Sequence, residues 1–206
     1  MNYLVLAAGA TALVMVATSS FAQQKPQVDA ALVDRYVAAT FKGASDEWKK
    51  RIEQDASQKL CSQYRNELPA GEVQSSLARE KAALKFPADG KVIGDWKKGQ
   101  QFAQRGTGGQ FSDGPSTPKG GNCYACHQLS SAELSYGTMG PSLTEYGKIR
   151  KFSAAGAKDA YAKIYNAQAL FPCSNMPRFG HNGFLNEQEI MDVVAYLFDP
   201  ESPVNK

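Results

Sequence analysis

The run Cys123-Tyr124-Ala125-Cys126-His127 limits what this chain can fold into more than any other feature. Two thiols three positions apart on a tight turn can each reach one vinyl group of a porphyrin, and the imidazole that follows then lies beneath the iron. With four Cys and two His among 206 residues, chance yields such a run in about one sequence per thousand of this composition. A thioredoxin-like pair needs a preceding strand in a βαβ setting, whereas residues 107–122 are a Gly/Pro/Ser loop. A zinc site needs a second ligand pair, and Cys61, Cys173 and His181 stand at no zinc spacing. The run therefore predicts one covalent haem c, attached through Cys123 and Cys126, with His127 as the proximal iron ligand.

What such a centre does depends on its sixth iron ligand, since an open position binds small molecules and a protein ligand makes an electron carrier. The candidates are Met139, Met176, Met191, His181 and Cys173. Met191 falls on an amphipathic stripe with Ile190, Val193 and Leu197 and reads as core. Met139 follows His127 so closely that it belongs to the proximal side. Met176 precedes Pro177, which denies it helix and places it in an extended loop able to cross the distal face. Met176 is thus the expected ligand, with His181 in reserve.

The first 22 residues contain no Asp, Glu, Lys or Arg, and their apolar run is short and rich in small residues. They read as a signal peptide cleaved after Ala22, with Ser20 and Ala22 at the small-residue positions, although the usual basic residue is missing. An uncleaved anchor is the competing reading. Export to the periplasm places the cysteines in an oxidising compartment. After haem attachment Cys61 and Cys173 remain, and pairing them is the expected disulfide. Separate burial, or a bond to a partner subunit, stays open.

The net charge of +3 is too small and too scattered for a nucleic-acid surface. From Gln23 to Ala88 mostly apolar residues recur at helical spacing: Val28, Leu32, Tyr36 and Thr40; then Trp48, Ile52, Ala56, Leu60 and Tyr64, with Ser45 placed to cap; then, more weakly, Val73, Leu77, Lys81 and Leu84. These stripes predict two or three helices whose apolar faces are buried. A further helix should start at the Asp95 cap and end near Arg105-Gly106, and the last should run from Asn186, with Glu189 in capping-box spacing, to Asp199-Pro200. The organisation read from these signals is a leader over 1–22, a helical extension over 23–90 and an all-α haem domain over 91–206.

The ordered series GDWKKGQQFA, CYACH, GPSL, NMP and LNEQEIMDVVAYL resembles class I cytochromes c from Gly94 to Asp199. That resemblance implies an all-α class I fold in which the first and last helices cross at Gly99, Phe102 and Tyr196. It also implies that the Pro141 carbonyl accepts the second ring proton of His127, fixing its tautomer. The Gly-rich insertion before Cys123 departs from compact members of the class.

More narrowly, GNCYACHQL, GTMGPSLTEYGK and FPCSNMPRFGHNGFLNEQEIMDVVAYL resemble the SoxX family, the monohaem subunits of SoxAX cytochromes. The resemblance implies a heterodimer with a SoxA-type cytochrome, whose own haem site joins thiosulfate to a cysteine of a SoxYZ-type carrier. The chain would then be the electron-transfer subunit of an L-cysteine S-thiosulfotransferase, relaying electrons to a small acceptor cytochrome, with no catalytic residue of its own. A free-standing class I carrier would share every haem feature but has no need of residues 23–88. A haem sensor or peroxidase would need an open sixth site, against which Met176 stands.

Overall fold

Gly99 sits where two helices meet too closely for any side chain. It lies on α5 (Trp96–Gln104), which crosses α8 (Glu187–Phe198). A Cβ there would come within 1.8 Å of the Asp192 carbonyl oxygen and 3.0 Å of Tyr196 Cβ. The same crossing is tied by Gly94 N–H donating to Met191 O at 3.0 Å and Asp95 N–H donating to the buried Asp192 carboxylate at 2.8 Å. Because the obstacle is backbone, Gly99→Ala is expected to destabilise by about 3 kcal/mol or more. Denaturant unfolding checks this, and a midpoint equal to the parent's would contradict so close a crossing.

Both helices begin where their caps predict. Asp95 accepts from Lys97 N and Lys98 N, and Asn186 and Glu189 close a complete capping box. The last helix buries Ile190 and every residue from Asp192 to Phe198. Its end is fixed by Asn205, whose side-chain amide donates to the carbonyls of Leu197 and Asp199 at 3.1 and 2.9 Å. Between them lie the short α6 (Tyr146–Ile149) and α7 (Ala154–Tyr165). The sequence reading assigned no helix to α7, which starts at a Ser153 cap bonded to Gly156 N. Tyr161, Tyr196, Leu129, Ile190 and Val194 are the largest fully buried apolar side chains at the centre.

The computed structural model describes residues 29–114 and 116–206. The expected leader over 1–22, its cleavage after Ala22 and Val28 of the first stripe lie outside them. Among the described residues there is no strand, and no helix is long and apolar enough to cross a membrane.

The extension contains α1 (Ala30–Thr40), α2 (Asp46–Ile52), α3 (Ala56–Gln63) and α4 (Ala70–Ala82). Four expectations need correction here. The stripe on α1 is not core: no residue of that helix is buried, and Leu32 and Tyr36 are 56% and 69% exposed. The stripe from Trp48 to Tyr64 is not one helix, because Glu53 ends α2 and Asp55 begins α3 with a capping box to Gln58. Ser45 does occupy the cap of α2, but its side chain makes no capping bond. On α4 the buried residues are Ser76 and Glu80, not the apolar stripe.

The extension rests on the haem domain through ring contacts and polar ties. Phe86 stacks on Tyr161 at 5.3 Å between centroids, Trp48 meets Phe111 of the Gly-rich loop at 5.5 Å, and Arg51 donates to Gly109 O at 3.2 Å.

Candidate functional site

Cys123–Ala125 forms a single 3₁₀ turn, entered through Asn122 in the left-handed region at φ 49°. Two bonds fasten its approach to the end of α5: Gly121 N–H donates to Phe102 O at 2.7 Å, and Asn122 N–H to Arg105 O at 3.0 Å. The turn then closes on itself, with Cys126 N–H and His127 N–H both donating to Cys123 O. This brings the two thiols and the imidazole to the wall of one cavity of about 550 Å³.

The next loop fixes the imidazole. Gly140 N–H donates to Cys126 O at 2.8 Å, drawing the backbone across the ring. A Cβ on Gly140 would lie 2.1 Å from His127 Cε1, so no other residue leaves the ring where it is. Beyond it, His127 Nδ1 lies 2.7 Å from Pro141 O. A carbonyl can only accept, so this contact assigns the proton to Nδ1 and leaves the Nε2 lone pair free to bind a metal.

Met176 lines the same cavity from a separate loop, half-buried and packed on the core. The competing side chains are placed differently. His181 does not line the cavity and lies 3.9 Å from the Asp55 carboxylate. Met191 packs on the core without reaching the cavity, and Cys173 is bonded to Cys61. Met139 reaches the rim but is 81% exposed.

The remaining wall is largely apolar and includes Leu129, Ala160, Ile164, Val193 and Leu197. It also carries two buried polar atoms without a protein partner, Tyr196 Oη and Asn122 Oδ1. An apolar chamber of this size, with thiols and a free imidazole nitrogen at its wall and a few unpaired polar groups, fits a porphyrin with its polar edge substituents. Burial pushes the Cys123 thiol up to about 12, the opposite of the depressed values that mark exchange-active cysteines. Among the described residues no group of three His, Cys, Asp or Glu side chains could hold a metal ion by itself.

Helix crossing, haem-attachment turn and proximal loop together define a c-type cytochrome, and comparison with known proteins agrees. Residues 96–199, just over half of the chain, match the family model for cytochrome c. An uncharacterized lipoprotein of Aquifex aeolicus (strain VF5) is 43% identical over 155 residues, covering 74% of this chain and 73% of that protein. The chain belongs to the cytochrome c family and holds haem c covalently.

Two contributors were missed in the sequence reading. Gly140 enters the sequence reading only as part of the GPSL and GTMGPSLTEYGK resemblances, although a Gly-Pro pair soon after the attachment run signals a tight backbone approach. Glu80, buried between extension and haem domain, had no local signal: its partners Asn166 and Arg178 are 86 and 98 residues away.

Proposed function

We propose that the chain is the electron-transfer subunit of a SoxAX-type complex, in which His127 and Met176 would hold the iron of its haem. When bound, haem c supplies an iron centre that changes oxidation state by one electron. Cys123 and Cys126 hold it to the chain. His127 presents Nε2, while its other nitrogen keeps its proton on the Pro141 carbonyl. Met176 would hold the iron as a second protein ligand and keep water and small ligands from it, which favours electron transfer over ligand activation. The observation that carries this reading is the presence of His127 and Met176 in the wall of one cavity, with the other candidate ligands committed elsewhere or exposed.

The complex would join thiosulfate to a carrier cysteine. The sulfur–sulfur bond forms as the cysteine thiol loses its proton, and two electrons are released. The SoxA-type partner would hold the reacting sulfur atoms, and this chain would pass the electrons singly to a small acceptor cytochrome. The extension supports the reading, since it exceeds what a free carrier needs and leaves Leu32, Tyr36 and Phe41 exposed on the described surface. The lipoprotein name of the Aquifex relative and the covalent haem support an exported, periplasmic location.

The test is recovery of the tagged full-length chain from its native host grown on thiosulfate. A second c-type cytochrome is expected in equal amount, and the pair should reduce a small acceptor cytochrome only with thiosulfate and a carrier cysteine present. Recovery of this chain alone would contradict the heterodimer.

A further inference from the structure

Met176 sits in a short loop fastened to the extension at both ends. On one side Cys173 is bonded to Cys61 of α3. On the other, Arg178 is 5% exposed, with Nη2 donating to Asp55 Oδ2 at 2.6 Å and Nη1 to Glu80 Oε2 at 3.4 Å. Only Pro177 separates Met176 from Arg178, and its fixed φ leaves few soft torsions between them.

We infer that Glu80 and Asp55 are positioning residues for the distal ligand: by holding the Arg178 guanidinium inside the protein, they keep Met176 in the haem cavity. The inference rests on Met176 being that ligand. Glu80 is 3% exposed and fully engaged. Its Oε2 also accepts from Asn166 Nδ2 at 2.8 Å, its Oε1 accepts from Ser57 Oγ, and Ser57 Oγ accepts in turn from Arg79 Nε at 3.0 Å. His181 lies 3.9 Å from Asp55 on the open side of the cluster. Burial pushes the Glu80 carboxyl up, but the bonds from Asn166 and Ser57 and the charge of Arg178 outweigh it, so the group stays below its usual range. A buried guanidinium deprived of its carboxylates must find water. Arg178 reaches it by moving outward past the part-exposed Asp55, and Met176, joined to it through the stiff Pro177, moves with it.

The experiment uses the holoprotein with Glu80→Gln, which keeps the shape and removes the charge, and Asp55→Asn, which keeps a capping side chain. Glu47→Gln is the control, because Glu47 pairs with Arg51 on the same extension and the bonds of that pair go to each other and to Gly109 O, not to the Met176 loop. Imidazole association with the ferric iron is followed by stopped flow, alongside the far-red thioether-to-iron band. Loss of one partner of the buried pair should speed imidazole binding about tenfold in Glu80→Gln and about threefold in Asp55→Asn. The band should weaken in both, with helical content and haem attachment retained, and Glu47→Gln should match the parent. A lower Tm with imidazole rates within about twofold of the parent, in either folded variant, would overturn the positioning role and leave only a structural one. If Glu80→Gln does not fold, Asp55→Asn decides by itself. Met176→Ala separates the two ideas: a parent that binds imidazole as fast as Met176→Ala refutes the ligand assignment itself.

Discussion

Met176→Ala should keep its haem covalently attached and lose the low-spin thioether spectrum. Its reduction potential should fall on the order of 0.2 V, within the roughly 0.8 V span that axial ligands command, because a thioether favours the ferrous iron. The attachment survives because Cys123 and Cys126 belong to a turn fastened to α5, with no contribution from the Met176 loop. Redox titration and the ferric spectrum check this. An unchanged ferric spectrum would mean that another side chain binds the iron, and the geometry leaves few. His181 would have to leave Asp55, and Met139 would have to bring an exposed side chain into the cavity.

The second large effect is on stability. The Cys61–Cys173 bond spans 112 residues, for which the loop-entropy account allows up to about 4 to 5 kcal/mol. The double variant Cys61→Ser, Cys173→Ser should lose about 3 kcal/mol in denaturant unfolding, still with haem attached. The extension offers little to compensate, since α1 and α2 bury no residue. An unfolding midpoint equal to the parent's would show that the bond does not constrain the unfolded chain. Two free thiols per chain, titrated in denatured, unreduced protein, would show that the bond is absent.

The haem domain was readable because its signals are local. A cap at Asp95, five residues from Cys123 to His127 and a capping box at Asn186 each specify an element without distant partners. The Cys61–Cys173 bond followed from counting, as two thiols were left over. The extension read poorly for the opposite reason. Periodicity assigned Leu32 and Tyr36 to a buried face, but both stand largely exposed, because periodicity carries no information on what lies opposite. The interruption between Ile52 and Ala56 did carry a local sign, Asp55 and Gln58 at capping-box spacing, which the longer apolar stripe obscured. Glu80 had none. A glutamate on a helix among lysines and arginines reads as a solvated face until Arg178 and Asn166 are brought to it by the fold. Helix α7 did carry local signs, a Ser153 cap and Ala157, Tyr161 and Ile164 at helical spacing on its buried face, which its alanine-rich composition obscured.

The central claim is that this chain carries a six-coordinate haem c with His127 and Met176 as ligands, and the ferric absorption spectrum of the purified protein tests it most directly. A low-spin spectrum with a weak far-red thioether-to-iron band is the predicted result. A high-spin spectrum, or a low-spin one without that band, would contradict it.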